Sequence, residues 1–131
     1  MNLGFIGTGK IASSIIYGIF KSKLKINKIY ISSRNRNIAK KLSVKFKKVK
    51  SLKNNQDIIN LSSVIILSVT PIVGRKILKN LKFGNEKTII SLISTIKLID
   101  LKKITGVKKV CKAIPLPFVE NRLGPIIVSP K

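Results

Sequence analysis

Residues 3–16 read LGFIGTGKIASSII: a short apolar run, a glycine-punctuated turn, then the opening of an amphipathic helix. Gly7, Gly9 and Ala12 fall on the three small-residue positions of a G-x-G-x-x-G/A turn between a strand and a helix. Each has its own physical task. Gly7 permits the tight turn out of the strand, and Gly9 lets the backbone come close to a pyrophosphate. Ala12 lets the helix lie close against the strand. The first helical turn then offers free N–H groups and a positive dipole end to a phosphate. Glycines also make ordinary turns, but here the strand and the helix stand on either side. The expectation is a nucleotide site at this turn.

Outward from the turn, apolar runs alternate with helical segments, the pattern of a parallel sheet with crossover helices. Strands are expected at Leu3–Ile6, Lys28–Ser32, Lys47–Val49, Ser63–Val69, Lys87–Ile93 and Val107–Ile114. Helices are expected over Ile11–Lys21, Asn37–Lys45, Val73–Leu81 and Leu98–Ile104, with a helical turn at Asn55–Asn60. Ser63–Val69 is continuous enough for a strand buried on both faces. Pro115, Pro117, Pro125 and Pro130 predict an irregular tail. The fold class expected is α/β, Rossmann-type and doubly wound, with a mainly parallel sheet and helices on both faces.

The 131 residues allow one domain with one substantial core, and 44% hydrophobic content marks a globular chain. The charge-free stretch from Ile58 to Gly74 carries Asn60, Ser62, Ser63, Ser68, Thr70 and Pro71. It reads as a helix end, a buried strand and a loop rather than a membrane span. The N-terminus lacks the basic flank of a signal peptide. Cys111 stands alone and there is no histidine, so neither an internal disulfide nor a His/Cys metal site is expected, and the setting expected is cytoplasmic.

The net charge of +23 points at first to a polyanion. Of the 27 basic residues, however, only Arg34, Arg36, Arg75 and Arg122 are arginine. Lysine, isoleucine and asparagine share AT-rich codons, so compositional drift accounts for the excess. A dedicated nucleic-acid binder would favour arginine and stacking aromatics, and both are scarce. Neither nucleic acid nor a membrane is the expected partner.

The end of the second strand carries the next signal. An Asp or Glu about 20 residues past the glycine turn holds the ribose hydroxyls in NAD sites. This chain has no acid before Asp57 and offers Ser32-Ser33-Arg34-Asn35-Arg36 there instead. Hydroxyl, amide and guanidinium donors suit a 2′-phosphate, so NADP(H) is expected ahead of NAD(H). Three loops should share the carboxyl edge of the sheet, where ligands bind in open α/β folds. They are Val69-Thr70-Pro71, Ser91–Thr95 and Pro115-Leu116-Pro117, with Thr70, Ser94 and Thr95 as hydrogen-bonding groups.

The ordered set GFIGTGKIASSIIYGI, SSRN, VIILSVTP, TIISLIST and KAIPLPFVE resembles the N-terminal domain of the pyrroline-5-carboxylate reductase family over nearly the whole chain. The resemblance implies that Gly7, Thr8, Gly9, Lys10 and Ile11 line the pyrophosphate. It puts Ser33, Arg34 and Asn35 around the adenosine ribose, and Val69, Thr70 and Pro71 on the nicotinamide side. It further implies hydride transfer from NADPH to a cyclic imine, in proline biosynthesis. A following helical domain would form a homodimer and complete the substrate site. That domain would begin about where the sequence stops at Lys131, so the chain is read as a fragment or a naturally shortened protein.

Three loops depart from the family pattern. Thr70 stands where a lysine is usual, Ser94-Thr95 replace Ala-Gly, and Ile114-Pro115-Leu116 replace Met-Pro-Asn. These bear on the substrate more than on the cofactor. No catalytic residue is assigned: the chain has no histidine and four acids, and an imine that is already protonated needs no general acid. The alternatives are a 3-hydroxyacid, imine or deazaflavin-linked NADP reductase, a non-catalytic nucleotide-binding remnant, or a basic polyanion-binding module.

Overall fold

The computed structural model describes residues 1–114 and the backbone of 127–129. Seven strands form one sheet: β1 (Asn2–Ile6), β2 (Lys28–Ser32), β3 (Val49–Leu52), β4 (Val64–Leu67), β5 (Thr88–Ser91), β6 (Lys109–Ile114) and β7 (Ile127–Ser129). Between them lie α1 (Lys10–Lys21), α2 (Arg36–Lys45), α3 (Asn55–Leu61), α4 (Pro71–Leu78) and α5 (Leu98–Thr105). The strand order is β3-β2-β1-β4-β5-β6-β7. The first six strands are parallel and β7 pairs antiparallel with β6. The Rossmann-type α/β fold expected from the sequence is the fold observed.

Alternation along the strands divides the core in two. Leu3, Phe5, Ile29, Ile31, Val49 and Ile66 face one side, where Ala12 and Ile16 of α1 and Ala39 and Leu42 of α2 cover them. Ile6, Ile65, Leu67, Ile89 and Val110 face the other, beneath Ile58 and Ile59 of α3, Leu78 of α4 and Leu101 of α5. Apolar residues on both faces account for the uninterrupted VIIL of β4, a central strand with helices above and below. Ala12 is fully buried in the contact between α1 and the sheet, as its place in the turn motif requires.

Three expectations are corrected. The third strand runs over Val49–Leu52, not Lys47–Val49. Phe46 instead closes α2, its ring stacked on Phe20 at 4.2 Å between centroids, and the ladder with β2 starts at Val49 opposite Ile29. The fourth helix stops at Leu78 rather than Leu81. The tail is not wholly irregular, because Ile127–Ser129 adds an edge strand through the pairs Ala113–Val128 and Ile114–Ile127. The loop Pro115-Leu116-Pro117 lies outside the described residues.

Candidate functional site

Chain order reverses between β1 and β4, neighbours in the sheet whose helices α1 and α4 cover opposite faces. A crevice opens at the carboxyl ends of such a pair, because the two connections leave in opposite directions. The glycine turn sits at this point. Gly7 has φ +98°, and a Cβ there would stand 2.6 Å from the Ser68 carbonyl oxygen. Glycine at this position is therefore required by the protein itself. Ser68 closes the seam, its backbone N–H donating to Ile6 O at 2.9 Å and its Oγ to Gly7 O at 2.6 Å.

Gly9 differs in kind. Its φ of −102° and ψ of −166° are open to any residue. Among the described residues, apart from its own neighbours in the chain, a Cβ added there meets no atom within 4 Å. No described residue demands glycine there, so the space above Gly9 is a cradle that a side chain would fill. Gly9 also caps α1 without any side-chain hydrogen bond, and no acid occupies the first turn. The helix thus opens into that space with its terminal N–H groups uncapped, and with Lys10 exposed beside them. A cation at a helix N-terminus opposes the dipole, and an anion seated between the two would relieve it.

The β2 end is held from several sides. Thr8, 5% exposed, donates through Oγ1 to Ser32 O at 2.7 Å. Ser32 Oγ accepts from the Arg34 backbone N–H at 3.4 Å, and Ser33 N–H donates to Leu52 O at 3.0 Å. Asn35 caps α2, its Oδ1 accepting from Ile38 N–H at 3.4 Å. Arg34 itself is exposed. The ion pair Lys87–Glu86 is the one found among the described residues, so no acid there neutralises Arg34. A 2′-phosphate would find an unneutralised guanidinium on a braced loop.

Val69-Thr70-Pro71 and Ser91–Thr95 follow adjacent parallel strands and share the carboxyl edge, as expected. Thr70 caps α4 by accepting from Val73 N–H at 3.4 Å, with Pro71 at the first helical position, where its missing N–H costs nothing. Val69 packs on the core beneath Gly74. Ser94 and Thr95 are both exposed. Their carbonyls are held by Lys112 Nζ at 2.6 Å and by Arg75 Nη2 at 3.4 Å.

Sequence reasoning gave no site role to Ser68, Arg75 or Lys112, although they hold the loops in place. Lys112 carried no distinguishing signal, being one of two lysines in β6. Among the described residues no three His, Cys, Asp or Glu side chains gather in a metal-binding group. No helix there is long and apolar enough to cross a membrane.

Sheet order, glycine turn and crevice together define a Rossmann-type domain of the dinucleotide-binding pattern. The model of the family described as NADP oxidoreductase, coenzyme F420-dependent, matches residues 2–95, and the chain belongs to that family. A pyrroline-5-carboxylate reductase of Pisum sativum is 28% identical over 115 residues, which are 86% of this chain and 42% of that protein. The 1-pyrroline-5-carboxylate reductase of Streptococcus pyogenes superposes with a TM-score of 0.82 at 26% identity, covering 98% of this chain and 48% of that one. The NADP-bound pyrroline carboxylate reductase of Plasmodium falciparum shares the fold, with a TM-score of 0.79 at 20% identity over 98% of this chain and 47% of that one. The resemblance read in the motifs is borne out by these relatives. The chain spans less than half the length of each.

Proposed function

We propose that residues 1–131 form the NADP(H)-binding domain of an oxidoreductase of the pyrroline-5-carboxylate reductase type. The observation that carries this reading is the open cradle over Gly9, set at the uncapped start of α1 where chain order reverses. A cofactor bound there supplies a hydride, and the protein's share is to position it and keep water out. The backbone of Gly7, Thr8, Gly9, Lys10 and Ile11 receives the diphosphate, while Ser33, Arg34 and Asn35 surround the ribose phosphate. Val69, Thr70, Pro71, Ser94 and Thr95 form the wall on the nicotinamide side. The substrate is a small cyclic imine, and further groups that complete its site come from outside this domain, in a homodimer. A cytoplasmic setting belongs to the same reading, supported by the single cysteine.

Calorimetric titration with NADPH and NADH at matched ionic strength tests the cofactor. Charge-assisted contact from Arg34 should favour NADPH by about 1–3 kcal/mol. The preference should persist in high salt, which screens the general positive field, and should disappear in Arg34→Ala. A preference that vanishes with salt, or survives the substitution, removes the specific site. For the reaction, NADPH oxidation with pyrroline-5-carboxylate should be negligible with this domain alone and robust in a longer gene product. Failure of a longer product on every cyclic imine favours another reductase of the same family, whose description names a coenzyme F420-dependent activity.

A further inference from the structure

We infer that Thr8 is a positioning residue that sets NADP(H) selectivity by fixing the ribose-phosphate loop against the diphosphate turn. The proposal rests on the cofactor reading above and adds a task for the hydroxyl of a residue that the family resemblance puts along the pyrophosphate. Thr8 lies between Gly7 and Gly9, yet its side chain is buried and aimed sideways, donating to Ser32 O at 2.7 Å across 24 residues of chain. Ser32, 7% exposed, uses its carbonyl for Thr8 and its hydroxyl for the Arg34 backbone N–H. A continuous path therefore runs from the diphosphate turn through Thr8 and Ser32 to the backbone of Arg34. Ser33 N–H on Leu52 O and the Asn35 cap on α2 hold the far side of the same loop.

A dinucleotide must meet the turn and the loop at once. A fixed spacing between them matters most to the ligand that contacts both with charge, which is the 2′-phosphorylated one. An unphosphorylated ribose makes no ion pair with Arg34 and is less sensitive to where that guanidinium stands.

The test is a double-substitution cycle read by binding. Thr8→Val keeps the shape and removes the donor; Thr8→Ser keeps the donor. Thr8→Val should weaken NADPH by about tenfold and NADH by no more than about threefold, the range of one lost buried hydrogen bond. Thr8→Ser should restore the parent ratio. In an Arg34→Ala background the NADPH penalty of Thr8→Val should shrink to the NADH penalty, because the group being positioned is gone. Thr8→Ala gives the same readout should the valine variant fail to fold.

Equal losses for both cofactors, additive with Arg34→Ala, overturn the positioning role while leaving the cofactor site standing, since a lowered melting temperature alone would not move the ratio. Binding of neither cofactor by the parent chain overturns the cofactor reading and this proposal with it.

Discussion

Gly7 and Ser68 are locked together at the seam between the first and fourth strands. Ser68 Oγ donates to Gly7 O at 2.6 Å, and a Cβ on Gly7 would stand 2.6 Å from Ser68 O. The turn that starts the first helix is therefore built against the neighbouring strand as well as from its own glycines. Gly7→Ala combines a left-handed φ of +98° with a backbone clash. It should cost at least ~2 kcal/mol of folding stability. Urea denaturation checks this, and an unchanged midpoint would mean that the turn relaxes freely.

Gly9 should answer the opposite way. Its conformation is ordinary, and a side chain there enters space that no described residue fills. Gly9→Ser should leave stability level or raise it by a few tenths of a kcal/mol, since serine is a good helix cap. The same hydroxyl would occupy the cradle and take the N–H groups meant for phosphate, so NADPH affinity should fall by roughly tenfold or more. Thermal melting and calorimetry on one sample separate the two effects. Undiminished binding in a folded variant would overturn the diphosphate site.

The Thr70 hydroxyl accepts from Val73 N–H to cap α4. Thr70→Ala should cost about 1 kcal/mol, while Thr70→Ser and Thr70→Asp should retain most of the parent stability. Hydrogen exchange should show the loss in the first turn of α4. If alanine and serine variants melt alike, the hydroxyl is not a cap in solution.

Burial pushes the Cys111 thiol above its ordinary pKa. The folded state favours the neutral thiol, so any stability from this group is fully present below the ordinary thiol range and lost as pH rises from there through the raised folded-state value. Iodoacetamide should label the native protein at pH 8 more slowly than it labels the urea-unfolded chain, because the thiolate is the nucleophile. Equal rates would show that β6 is open to solvent at this position.

Much of the local structure was legible in the sequence because its causes are local. Lys28–Ser32 is a strand with the bounds expected, since alternating apolar residues end at a run of polar ones. The helix expected at Leu98 stops at Gly106, whose φ of +72° only glycine adopts readily. Gly7 and Ala12 were identifiable because strand, turn and helix are contiguous in the chain. The third strand was misplaced because VKSL buries little beyond Val49, leaving no period to read.

What the tertiary structure decided is whatever depends on partners distant in sequence. Pairing of Leu3–Ile6 with Val64–Leu67 puts β4 beside β1 and creates the crevice. No property of either strand alone dictates that neighbour, because all the core strands are similarly apolar. Pairing of Ala113 with Val128 draws the tail into the sheet as an edge strand. The hydroxyls of Thr8 and Ser68 became struts only when Ser32 O and Gly7 O came within reach. Composition and periodicity are sums over neighbours in the chain, whereas a hydrogen bond across 24 or 61 residues exists only once the sheet has assembled.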